Sequence, residues 1–184
     1  MGWLKNKQLS RALEANSLIH DAIVMGIADK YIQEENLEDN PFGLNLLARA
    51  LNWAIPRQDY VFEKDVEKVE DEESRRRFKE DEDQIFKKGL EILNSDPLIE
   101  KVATHYVAYQ IFLINTLFPK AETKFPGIIR MRKFLAQTTE REPDTADSDF
   151  KKSYKTLFES FNDEYGKYGK TLEQKTIDSL FSLL

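Results

Sequence analysis

The 184-residue chain has two histidines, His20 and His105, and no cysteine. A transition-metal site must therefore draw on these two imidazoles and on carboxylates, and no thiolate nucleophile is present. His20 is followed by Asp21, and a His-Asp pair holds a divalent ion in hydrolases when an earlier His and a later Asp complete the set. No His precedes His20, and His105 is followed by Tyr106, so only half of that set is present. His20 is read as a packing or surface residue. A helical di-iron site needs Glu three residues before each His, so that carboxylate and imidazole project together. Ser17 and Val102 occupy those places. With two histidines and no thiol, no Ser–His or Cys–His pairing stands out.

Carboxylates at i,i+3 can share a Mg²⁺ ion, and Glu67-x-x-Glu70 and Glu80-x-x-Asp83 have that form. The two pairs lie too close in sequence to turn between antiparallel helices, and in so charged a tract a solvated face is the simpler account. Gly169-Lys170-Thr171 ends like a phosphate-binding loop, but Glu164 stands where that loop needs its first Gly, and no strand precedes it. Gly166 and Gly169 read instead as a helix stop, with Thr171 and Gln174 forming a capping box for the last helix. These positions imply no cofactor and no metal.

The elements carrying these residues are helical. Leu9, Leu13, Ile19, Ile23, Ile27 and Tyr31 recur at helical spacing over about Gln8 to Gln33. Asn40-Pro41 is the N-cap and first residue of a second helix, with Leu44, Leu47, Leu51 and Ile55 on one face and Pro56 ending it. Asp96-Pro97 repeats the same start signal. The helix from Pro97 to Phe118 is apolar on most faces, as expected at the centre of a bundle, and Pro119 closes it. A short helix follows from about Gly127 to Ala136, and two more lie at about Asp149–Tyr165 and Thr171–Leu184.

Between Glu63 and Gln84, 17 of 22 residues are charged, and Val66, Val69 and Phe78 are the only apolar ones. Asp71–Arg75, Glu72–Arg76 and Glu73–Arg77 place an acid one helical turn before a base, worth ~0.2–0.5 kcal/mol per pair. Val69 and Phe78 fall on opposite sides of a helix, so the arm changes packing partner or bends near Asp71–Ser74. The expected fold is all-α, an irregular bundle of six or seven helices with this charged arm at about 59–93. The domain organisation expected is a bundle over 1–137, a linker at 138–148 (TTEREPDTADS) and a C-terminal helical pair over 149–184.

Two surfaces carry the functional expectations. Phe150, Tyr154, Phe158, Phe161 and Tyr165, continued by Tyr168, share one helix face by their three- and four-residue spacing. A face with that much aromatic area must bury against something, either the chain's own bundle or a protein partner. Lys120, Lys124, Arg130, Arg132 and Lys133, with Lys151, Lys152 and Lys155, form a basic edge interleaved with aromatics, a pattern that can track a nucleic-acid backbone. The net charge of −6 runs against that use, because such affinity comes from neutralising phosphates. No stretch reaches the ~20 apolar residues of a membrane span, and Met1–Asn6 has no apolar signal core, so a cytoplasmic protein that avoids membranes is expected. The leading function is a non-enzymatic helical interaction or assembly module, presenting its charged arm or C-terminal helices to a protein partner or a second copy. The alternatives are a small helical subunit of a nucleoprotein complex and a metal-dependent hydrolase.

Overall fold

The computed structural model describes residues 2–57 and 72–184. Among them are seven α-helices and no strand: α1 (Gly2–Glu34), α2 (Pro41–Ala54), α3 (Glu72–Leu93), α4 (Pro97–Leu117), α5 (Pro126–Gln137), α6 (Phe150–Tyr165) and α7 (Gln174–Ser182). Short 3-10 turns at Ala121–Thr123 and Gly166–Tyr168 join α4 to α5 and extend α6.

The helix starts follow from local chemistry. Asn40 accepts from the Gly43 amide at 2.9 Å, and Asp96 accepts from the Leu98 amide at 2.8 Å, each satisfying an amide that the first turn leaves without a partner. Pro41 and Pro97 sit at the first helical positions, where a missing N–H costs nothing. Pro119 crowds the backbone before it, and Phe118 accordingly leaves the helical region.

α4 lies at the centre, with thirteen buried residues between Ile99 and Ile114. It packs on α1, α5 and α6, and α2 pairs with α3 beside it. On α1 the inner face is Ala12, Leu13, Ile19, Ile23 and Ile27, all buried. Two glycines set close approaches. A Cβ on Gly89 of α3 would stand 2.8 Å from Ala54 Cβ and collide with the Ala50 carbonyl, so α2 and α3 meet backbone to backbone. A Cβ on Gly26 of α1 would stand 3.0 Å from Phe161 Cζ, so that gap on α1 receives the Phe161 ring.

One apolar core runs through the whole assembly, from Ala12 to Leu184. The 138–148 segment is tied down at its start, where the buried Glu100 carboxylate of α4 accepts from the Thr139 and Glu140 amides and from the Thr139 hydroxyl at 2.9 Å. Asp144 and Asp147 then accept from amides two residues on, at 2.9 Å each, and turn the chain into α6. The last helix starts later than expected: it begins at Gln174, and the Thr171–Gln174 capping box does not form. Thr171 lies against Gly166, and Gln174 donates to Glu159 at 2.7 Å and Asp178 at 3.0 Å instead.

Candidate interaction surface

His20 of α1 is buried, and both ring nitrogens face acceptors. Nε2 lies 2.6 Å from the Ile55 carbonyl and Nδ1 lies 3.3 Å from Asp21. Tyr106 of α4 donates to the next carbonyl, Pro56, at 2.9 Å, and its ring lies 5.0 Å from the imidazole. These two side chains satisfy the carbonyls left over where α2 ends, and Arg57 approaches Asp21 at 3.5 Å. His105 is half-buried, hydrogen-bonded through Nδ1 to the Lys101 carbonyl at 2.9 Å and stacked on Phe150. Burial lowers its pKa. The two imidazoles thus act as struts between helices.

A second polar group sits deeper. Tyr154 donates to Asn16 Oδ1 at 2.8 Å, and Asn16 donates to Gln110 Oε1 at 2.8 Å, joining α6, α1 and α4. Tyr165 donates to Asp96, the carboxylate that also caps α4. Burial pushes the phenols of Tyr106 and Tyr154 well above the usual range, with smaller contributions from neighbouring charges and phenols. The same cause raises Tyr109 to about 12. These phenols are thus held as neutral hydrogen-bond donors.

Among the described residues, no group of three or more His, Asp or Glu side chains is placed to hold a metal ion. Glu80 pairs with Arg76 at 3.8 Å and Asp83 with Lys133 at 3.5 Å, so this carboxylate pair is divided between two cations. Arg76 thereby points to Glu80 and not to Glu72. The Glu67–Glu70 pair, Asp71–Arg75, Glu73–Arg77 and the Val69–Phe78 stripe lie outside the described residues or side chains.

The five rings expected to offer a partner-binding face, Phe150, Tyr154, Phe158, Phe161 and Tyr165, are 0–4% exposed. Phe161 stacks on Tyr165 at 4.6 Å, and Phe158 and Tyr154 meet Phe181 of α7 at 5.6 and 5.1 Å. Packed in this way they belong to the chain's own apolar core. Half of the basic edge is engaged within the chain. Arg132 binds Glu122 at 2.8 Å and Glu142 at 3.6 Å, Lys133 lies over the Phe86 ring, and Lys155 binds Asp178 at 2.6 Å. Arg130 stacks on Trp53 at 4.0 Å. Lys120, Lys124, Lys151 and Lys152 are exposed and make no ion pair with a described residue.

No family model, curated protein or solved structure matches the chain.

An exposed apolar row lies on α1. Leu4, Leu18 and Met25 are 62%, 48% and 59% exposed on one helix. Their separations are whole heptads, and a straight helix drifts only about 20° per heptad, so all three lie on the outer face. Arg11 and the half-buried Ile32 continue the row at the same interval. In the sequence the stronger inner stripe of α1 masks this outer one. Its signal was the heptad recurrence of apolar residues off the Leu13–Ile27 face. Phe42, 80% exposed at the start of α2, and Ile129 on α5 are the other most exposed large apolar side chains among the described residues. A small cleft of about 70 Å³ between α1, α2 and α3, lined by Tyr31, Leu37, Leu46 and Ile92, is below the size of ordinary ligand pockets. No described helix is long and apolar enough to cross a membrane.

Proposed function

We propose that the protein is a non-enzymatic helical interaction module that binds a protein partner along the outer face of α1. The observation carrying this reading is the row of Leu4, Leu18 and Met25, three large apolar side chains kept in water at heptad spacing. Heptad apolar rows are the geometry by which one helix seats its side chains between those of another. The inner face of α1 packs on α4, α2 and α6, so the outer face is presented on a helix already folded and little ordering cost falls on binding. The use of both histidines as helix struts, and of the core phenols as structural donors, supports the non-enzymatic side of the reading.

The test is capture of partners by the immobilised protein, comparing wild type with Leu18→Glu/Met25→Glu. Both positions face solvent, so the double variant should keep its helix content and melting temperature. It should lose the captured partner, because placing charges at the centre of an apolar contact typically costs about 2 kcal/mol or more. A folded variant that captures the same proteins as wild type refutes the assignment of the surface.

A further inference from the structure

The charges along α1 identify the partner more closely, on the proposed reading of its outer face. Between Gly2 and Leu13 the helix carries Lys5, Lys7 and Arg11 and no acid. From Glu14 onward it carries Glu14, Asp21, Asp29 and Glu34 against Lys30 alone. Lys30 is turned toward the Tyr165 ring, 5.4 Å from its centre, and Asp21 also pairs with Arg57 at 3.5 Å, so this half is acidic on balance with part of its charge already engaged within the chain.

A helix that is basic at one end and acidic at the other, with an apolar row along it, is complementary to itself only when reversed. We infer that the partner is a second copy of this chain, with the two α1 helices packed antiparallel about a two-fold axis at Leu18. In that register Leu18 meets Leu18 of the second copy, and Leu4 meets Ile32. Arg11 falls beside Met25 of the second copy, with Asp21 and Asp29 one turn to either side, both partly exposed. Lys7 falls opposite Asp29. Two-fold symmetry makes each of these contacts occur twice. A parallel pairing would instead set Lys7 on Lys7, Arg11 on Arg11 and Asp21 on Asp21, and like charges in register are repelled. With 33 residues α1 is about 50 Å long, enough for the whole row to be used.

The absence of cysteine makes a clean test possible, since any cysteine introduced is the only one in the chain. Leu18→Cys should give a disulfide-linked dimer when treated with diamide, because the residue sits on the axis. Arg11→Cys and Met25→Cys, mixed, should cross-link to each other, while neither links efficiently to itself. In sedimentation velocity the wild type should be a dimer that weakens with added salt. Arg11→Glu should weaken self-association about tenfold or more with an unchanged circular dichroism spectrum. Self-linking of Arg11→Cys or Met25→Cys alone would overturn the antiparallel arrangement. A wild type that stays monomeric at hundreds of micromolar would overturn the second copy as partner. If Leu18→Glu/Met25→Glu still abolished capture of a different protein from that monomer, the interaction face on α1 would stand and only its occupant would change.

Discussion

Replacing Phe158 and Phe161 by serine tests whether the aromatic row of α6 is core. Phe158 is fully buried, with ring neighbours Phe161 at 6.4 Å and Phe181 at 5.6 Å. Phe161 fills the gap over Gly26 and stacks on Tyr165. Each change deletes a buried ring and leaves a cavity, which in cores costs ~3–5 kcal/mol, and the serine hydroxyl adds a buried polar group. For a chain of this size each kilocalorie lowers the melting point by about 2–4 °C, so either single variant should melt about 6–20 °C below wild type. The two rings touch, so the double change should cost less than the sum of the singles. It should still consume most of the ~5–15 kcal/mol of a typical domain. Urea titration followed by circular dichroism, with light scattering on the same samples, reads both stability and assembly. A double variant that melts like wild type while its assembly dissociates would show that the row faces another chain and refute the reasoning.

Gly89→Ala should destabilise by ~1–3 kcal/mol, because the new methyl meets the Ala50 carbonyl and Ala54 across the α2–α3 crossing; a melt equal to wild type would mean the helices can part there at no cost. Glu100→Gln replaces the carboxylate that holds Thr139 and Glu140, so amides of 138–142 should exchange faster while those of α4 keep their protection; equal exchange in the two proteins would place the anchor elsewhere. Alkaline stability follows from the raised phenol of Tyr109, at about 12 when folded against 10 as its ordinary value. The folded state holds this proton where the unfolded chain has lost it, so the stability contribution is intact below about pH 10 and falls as pH rises toward 12. Tyr106 and Tyr154 shift the same way, and phenolate absorbance from the buried tyrosines should appear together with unfolding; stepwise ionisation ahead of any loss of helix would contradict this.

Helix number, caps and the central place of α4 were legible in the sequence because they rest on local signals. Asn40-Pro41, Asp96-Pro97 and Pro119 act within one turn of themselves, and the all-round apolar stretch of α4 has nowhere to lie except inside. Signals that depend on distant partners were not legible. The 138–148 segment has the composition of a linker, yet Glu100, some forty residues earlier, fixes its start. The aromatic row of α6 has the same spacing whether it meets this chain or another, and only α1, α4 and α7 decide the matter. Thr171 and Gln174 match a capping box, but Gly166 brings the chain close to Thr171 and Gln174 finds two carboxylates instead. On α1 a strong inner stripe masked a weaker outer one. The lysines and arginines of the basic edge look alike in sequence, while four of the eight are engaged by an acid or a ring.

Hydroxyl-radical footprinting of the associated protein tests the interaction face on α1 most directly, with Met25 and Leu18 as reporters and Phe42 and Ile129 as exposed controls. All four side chains are open to solvent in the isolated chain. On association, oxidation of Met25 and Leu18 should slow severalfold while Phe42 and Ile129 keep their rates. Unchanged oxidation of Met25 and Leu18, with protection appearing at Phe42 or Ile129, would move the interface off α1 and contradict the account.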